Sequence, residues 1–142
     1  MIEQDFTKED LVMATLLYWK KIIFGLITGM FTFLFGGADV ILSILITLVI
    51  VDYCTGVLGG IYQGNLSSEI GYKGIVRKIG IFAVVALAHM LGVALGIAEV
   101  RSVTIGFYIA NEGISILENC GKMGIPLPQK LIDVLQQLKD KE

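Results

Sequence analysis

The stretch from Ile79 to Ala98 is twenty residues long and carries no formal charge, His89 being its one titratable side chain. Arg77-Lys78 precede it, and Glu99 and Arg101 follow it. At 1.5 Å per residue, twenty helical residues cover about 30 Å, the thickness of a bilayer's hydrocarbon core. The segment therefore predicts a membrane-spanning helix. Composition extends that reading to the rest of the chain. Of 142 residues, 55% are apolar and 17% charged, where a soluble domain carries about 25% charged. With a mean hydropathy of +0.78, the chain has too little polar surface for water to be its main solvent. This argues against a soluble enzyme and against a disordered chain. The net charge of −2 offers no basic surface for nucleic acid. Cys54 and Cys120 have no short ligand spacing and no disulfide framework. With a single histidine beside them, neither a metal site nor a cofactor site is expected.

The predicted fold class is an all-α integral membrane protein of about four transmembrane helices, with amphipathic helices at both ends. Spans are expected at about residues 22–38, 40–60, 79–98 and 102–117. Gly36-Gly37-Ala38-Asp39 reads as a turn after the first span, with Asp39 capping the second. Residues 1–21 form an N-terminal interfacial segment and 118–142 a cytoplasmic tail. Basic residues test the count, because Lys and Arg favour the cytoplasmic side of short loops. Lys8, Lys20 and Lys21 precede the first span. Lys73, Arg77 and Lys78 lie between the second and third, where they are expected to form an inner-leaflet basic loop. Lys122, Lys130, Lys139 and Lys141 follow the fourth. Four spans with both termini inside place ten of the eleven basic residues in the cytoplasm, leaving only Arg101 outside.

Lys20-Lys21, the apolar run and Gly36-Gly37-Ala38 also resemble the parts of a signal peptide. The long acidic leader and the second apolar span behind it argue against cleavage. Met1 and Met13 would permit two starts. The twelve extra residues carry one lysine against four acidic residues, so restraint by added positive charge does not apply.

Both ends are amphipathic. Thr7 and Asp10 have the spacing of a capping box. Leu11, Val12, Leu16 and Trp19 then suit an interfacial helix, with Trp19 and Lys20 at headgroup depth. Beyond Pro126 and Pro128, the residues Leu131, Val134, Leu135 and Leu138 recur at helical spacing. This describes a helix on the inner leaflet or on a partner, or a solvated tail.

No catalytic constellation, Walker loop or dinucleotide fingerprint is present. His89 lacks a recognisable partner and reads as a structural histidine. Each span does hold one pair of small residues four apart: Gly25 and Gly29, Gly56 and Gly60, Gly92 and Gly96, Gly106 and Ala110. Such pairs let helix backbones approach closely in lipid, within the chain or between copies.

Polar residues form stripes. Thr104, Tyr108, Asn111, Glu112, Ser115 and Asn119 share one face of the fourth span, and Asp52 lies on a small, polar face of the second. A carboxylate near the bilayer centre costs at least about 2.5 kcal/mol. Asp52 and Glu112 must then face protein or water, or hold a proton. Internal hydrogen bonding, the wall of a water-filled lesion between copies, and a transporter's ion site all satisfy that demand.

Four blocks carry a resemblance. They are Asp52 to Gly56; Ser67-Ser68-x-x-Gly71-x-x-Gly74-Ile75-x-Arg77-Lys78-Ile79; Asn111-Glu112-x-x-Ser115-Ile116-Leu117-Glu118-Asn119; and Gly124-Ile125-Pro126-x-Pro128 with Leu131. Over about residues 50–138 the chain resembles the toxin-secretion/phage-lysis holin family. The N-terminal third adds no matching motif. The resemblance implies a homo-oligomer in the bacterial cytoplasmic membrane that contacts itself and lipid. It implies timed lesions that dissipate the proton-motive force and release a cell-wall hydrolase or a large toxin, with no direct contact needed. A small four-helix transporter or ion channel using Asp52 or Glu112 is the alternative, and a membrane scaffold recruiting a partner through its tail is a third.

Overall fold

A computed structural model describes residues 7–140, so that Met1 and Lys141 lie outside the described residues; within them, the side chains of Ile70, Leu135, Leu138, Lys139 and Asp140 also lie outside the description. The described chain is built of five α-helices: α1 (Lys8–Phe35), α2 (Val40–Tyr62), α3 (Ser68–Leu95), α4 (Glu99–Lys122) and α5 (Gln129–Asp140). It divides into two units, residues 1–37 and residues 38–142.

The first unit is α1. Its N-terminus is the expected capping box: the Asp10 N–H donates to Thr7 Oγ1 at 3.3 Å, and the Thr7 N–H to Asp10 Oδ2 at 3.1 Å. The helix then runs without a break to Gly36, whose φ of 75° ends it in the left-handed region. The separate interfacial segment expected over residues 1–21 is therefore corrected for its described part. Residues 8–21 and the first apolar run are one helix of 28 residues, about 42 Å long. The run from Ile22 to Phe35 alone would cover only about 21 Å; the helix as a whole is long and apolar enough to cross a membrane. None of the residues in α1 is buried.

In the second unit Asp39 caps α2, accepting the Leu42 N–H at 3.0 Å. The helix α3 begins at Ser68, eleven residues ahead of the span expected from Ile79. It ends where Gly96 takes φ 70° and Ile97 N–H donates back to the Gly92 carbonyl at 2.9 Å, a Schellman turn. The same closure ends α4: Gly124 takes φ 76° and the Ile125 N–H reaches the Cys120 carbonyl at 3.1 Å. Pro126 and Pro128 then separate α4 from α5, as expected.

The helix α4 is central to this unit: it packs against α2, α3 and α5, with its most extensive contact on α2. The core comprises Leu42, Leu45 and Val49 of α2, Ile81, Val85 and Ala88 of α3, and Ile105 and Ala110 of α4. Outward-facing positions are apolar too, among them Ile50 and Leu58 of α2 and Val84, Leu87 and Met90 of α3. Charged and polar side chains meanwhile are buried, namely Asp52, Arg101, Glu112 and Asn119. Polar groups inside and apolar groups outside is the distribution that lipid favours. Among the described residues, three helices are long and apolar enough to cross a membrane: α1, α2 and residues 71–95 of α3. The helix α4, of 24 residues, is long enough but less apolar and is not among them.

Candidate functional site

Three helices meet around one lysine. Lys78, on α3, donates from Nζ to Asp52 Oδ2 on α2 at 2.5 Å and to Glu112 Oε2 on α4. All three side chains are largely buried. Asn119, seven residues or about two helical turns beyond Glu112, completes the cluster by donating from Nδ2 to Asp52 Oδ1 at 3.1 Å. Its own Oδ1 accepts from Lys122 Nζ at 3.4 Å. One ammonium between two carboxylates leaves a formal charge of −1, toward which the amide of Asn119 directs a donor. Each carboxylate thus has a donor, and both oxygens of Asp52 have one, as ionised groups inside a low-dielectric bundle require.

Glycines let these groups meet. A Cβ at Gly56 would stand 3.5 Å from Asn119 Nδ2, and one at Gly59 3.7 Å from the Asn119 carbonyl. The bare backbone of α2 is thus the surface against which Asn119 lies. On α3, Gly74 does the same for the ring of Tyr53, which a Cβ there would approach at 3.6 Å. Between these surfaces opens a cleft of about 560 Å³. Lys78, Asp52, Glu112 and Asn119 form its inner part, and Lys73, Arg77, Lys122 and Glu118 also line it.

A second ion pair links the opposite ends of α2 and α4. Arg101 donates through both terminal nitrogens to Asp39, at 2.6 and 3.1 Å. The guanidinium holds the Asp39 carboxyl below the usual carboxylate range. The cap of α2 is thereby tied to the first turn of α4.

The polar stripe of α4 is divided by these contacts. Glu112, Ser115 and Asn119 reach the cleft. Thr104, Tyr108 and Asn111 are half-buried and do not line it; Thr104 donates to the Val100 carbonyl at 2.7 Å. The basic loop is corrected: Lys73, Arg77 and Lys78 are helical residues of α3. Lys73 pairs with Glu69 at 2.6 Å on the surface, whereas Lys78 is directed inward.

The small-residue pairs also differ from one another. Gly56 packs against another helix, whereas Gly60 lies against Leu66 of the loop that follows α2. Ala110 is fully buried, and Gly106 is half-buried. Gly92 and Gly96 serve the turn after α3: a Cβ on Gly92 would fall 2.8 Å from the Ile97 carbonyl oxygen. Around Gly25 and Gly29 nothing lies within 4 Å of an added Cβ.

Sequence reasoning missed Lys78 as the common partner of Asp52 and Glu112, and Arg101 as the partner of Asp39. A signal was present. Asp52 and Lys78 are each thirteen residues from Asn65, so an antiparallel hairpin turning there sets them side by side.

The chain matches the bacteriophage holin family over residues 29–140. Similar proteins include the uncharacterized protein BH0965 of Halalkalibacterium halodurans, 41% identical over 92% of this chain and 98% of that one. The uncharacterized protein Lmo0128 of Listeria monocytogenes is 40% identical, over 87% of this chain and 86% of its own. An uncharacterized 14.9 kDa protein in the nagH 3′ region of Clostridium perfringens is 44% identical, over 80% and 87%. No solved structure matches the chain.

Proposed function

Since the chain belongs to the bacteriophage holin family, we propose that it accumulates in the bacterial cytoplasmic membrane and assembles into lesions. These dissipate the proton-motive force and release a cell-wall hydrolase or a large toxin. In this proposal α4 is a fourth span and both termini are cytoplasmic, which keeps ten of eleven basic residues inside.

The observation that carries the reading is the inverted polarity of the second unit. The most polar of its three long helices, α4, holds the most buried residues, and Glu112 and Asn119 are bonded inward. A bundle of this kind is stable in lipid while closed and holds a hydrophilic surface in reserve. When copies crowd together, the α4 stripe turns toward water along the edge of a hole. The small face of α1 at Gly25 and Gly29, where nothing lies within 4 Å of an added Cβ, packs copy to copy. Exchange of the internal bonds for water is feasible because hydrated carboxylates need no protein partner.

Expression of the chain alone in a bacterium tests this. Abrupt depolarisation with escape of a folded cytosolic enzyme is the expected result. Selective ion flux without protein escape would instead support the transporter, whose coupling group would be Asp52 or Glu112. Replacing Glu112 by Leu is expected to delay or abolish lysis at unchanged membrane insertion. Normal lysis timing at matched expression would remove Glu112 from the lesion's edge.

A further inference from the structure

The cleft beside Lys78 has an outer part that the ion cluster does not use. There Lys73 and Arg77 stand on α3 and Lys122 on α4, with Glu118 as the acidic residue on that side. Deeper in, Lys78 is shared by Asp52 and Glu112, and Lys73 is paired with Glu69, which leaves Arg77 and Lys122 as the cations lining the mouth that are in no ion pair among the described residues. Among the described residues, Arg77 is exposed and belongs to none of the ion pairs. Its guanidinium offers the planar, forked donors that suit a phosphate.

The depth of this mouth follows from its neighbours. Tyr62 and Tyr72, on either side of the α2–α3 loop, are both 69% exposed. Tyrosines flanking apolar helices, next to basic residues, sit at the membrane–water interface. Below them Leu58 of α2 and Ile75 and Val76 of α3 present apolar surface outward. Headgroups, rather than acyl chains or bulk water, therefore face the opening, whichever leaflet it occupies. A volume of about 560 Å³ lies within the range of small-ligand sites. Gly56, Gly59 and Gly60 of α2 and Gly71 and Gly74 of α3 line it without side chains of their own. Gln63, Asn65 and Ser115 add neutral hydrogen-bonding groups.

We propose that this cleft binds the phosphodiester head of an anionic glycerophospholipid. Arg77 and Lys122 hold the phosphate from facing walls, and the head's alcohol hydroxyls donate toward Glu118 and accept from Asn65. The acyl chains lie along the outer faces of α2 and α3. This goes beyond general attraction of basic residues to an anionic leaflet, since it predicts a stoichiometric lipid on one cleft. It depends on membrane embedding and not on lesion opening.

The test uses the full chain purified in uncharged detergent, with phosphatidylglycerol and phosphatidylcholine of equal chain length in competition. Native mass spectrometry counts the lipid retained. One phosphatidylglycerol per chain is expected in preference to phosphatidylcholine. Arg77→Gln and Lys122→Gln should each weaken its retention about fivefold. The double variant Lys20→Gln/Lys21→Gln, which removes more charge outside the cleft, should leave retention unchanged. Circular dichroism matching the parent's establishes that each variant is folded. Equal loss in the α1 variant, or equal retention of phosphatidylcholine, would overturn the proposal. So would displacement of the lipid by an equal concentration of glycerol 3-phosphate, which would identify a soluble ester as ligand. Because retention is read on purified protein and lysis in cells, failure of either proposal is recognisable apart from the other.

Discussion

Lys78 donates to carboxylates from two other helices, so its removal strands two negative charges inside the bundle. Lys78→Met is expected to lower stability in detergent by about 3–5 kcal/mol, the cost of breaking a buried pair from one side. Adding Asp52→Asn and Glu112→Gln to that variant should recover most of the loss, because no unpaired charge then remains. Thermal or denaturant unfolding of the single and triple variants checks both. Asp39 supplies a pH dependence at the other end of the bundle. Arg101 lowers its pKa in the folded chain, so the pair stabilises above the ordinary aspartate value of about 3.9. That contribution is lost as pH falls through the lower folded value. Arg101→Gln should therefore unfold with a flatter pH dependence below about pH 4 than the parent. Asp39 and Arg101 were visible in the sequence as a helix cap and a stray outer charge. Their pairing was not, since it joins residues 62 positions apart.

The helices show where local chemistry suffices and where it fails. The capping box at Thr7, the Gly36-Gly37 turn, the Asp39 cap and the Pro126–Pro128 break were all legible, because each depends on a few adjacent residues. The α3 start was not: hydropathy marks where charge ends, at Ile79, whereas the helix continues through charged residues back to Ser68. Small-residue spacing was equally ambiguous. The pair at Gly92 and Gly96 builds a turn, while the pair at Gly25 and Gly29 meets nothing within its own unit. Gly92→Ala should destabilise the α3–α4 corner, since its Cβ would press on the Ile97 carbonyl. Gly25→Ala should be neutral or stabilising by up to ~1 kcal/mol through helix propensity. Unfolding of the two variants side by side separates the roles that one spacing pattern concealed.

As a whole molecule the chain is a membrane protein of the bacteriophage holin family whose hydrophilic surface is folded inward. Family membership was legible from the blocks between Asp52 and Leu131, all of which lie within the matched residues 29–140. The tertiary arrangement was not, because a stripe on one helix does not say which neighbour satisfies it. The proposal makes the same stripe face helices when closed and water when open. Cysteine accessibility in living cells tests that directly. In a background with Cys54 and Cys120 replaced by Ser, Asn111→Cys and Leu87→Cys are compared using a membrane-impermeant thiol reagent. Asn111 is half-buried on the stripe, and Leu87 is exposed on the apolar face of α3. The account predicts that position 111 is unreactive before lysis and reacts rapidly once the membrane depolarises, while position 87 stays unreactive throughout. Equal reactivity of the two positions after depolarisation would contradict it.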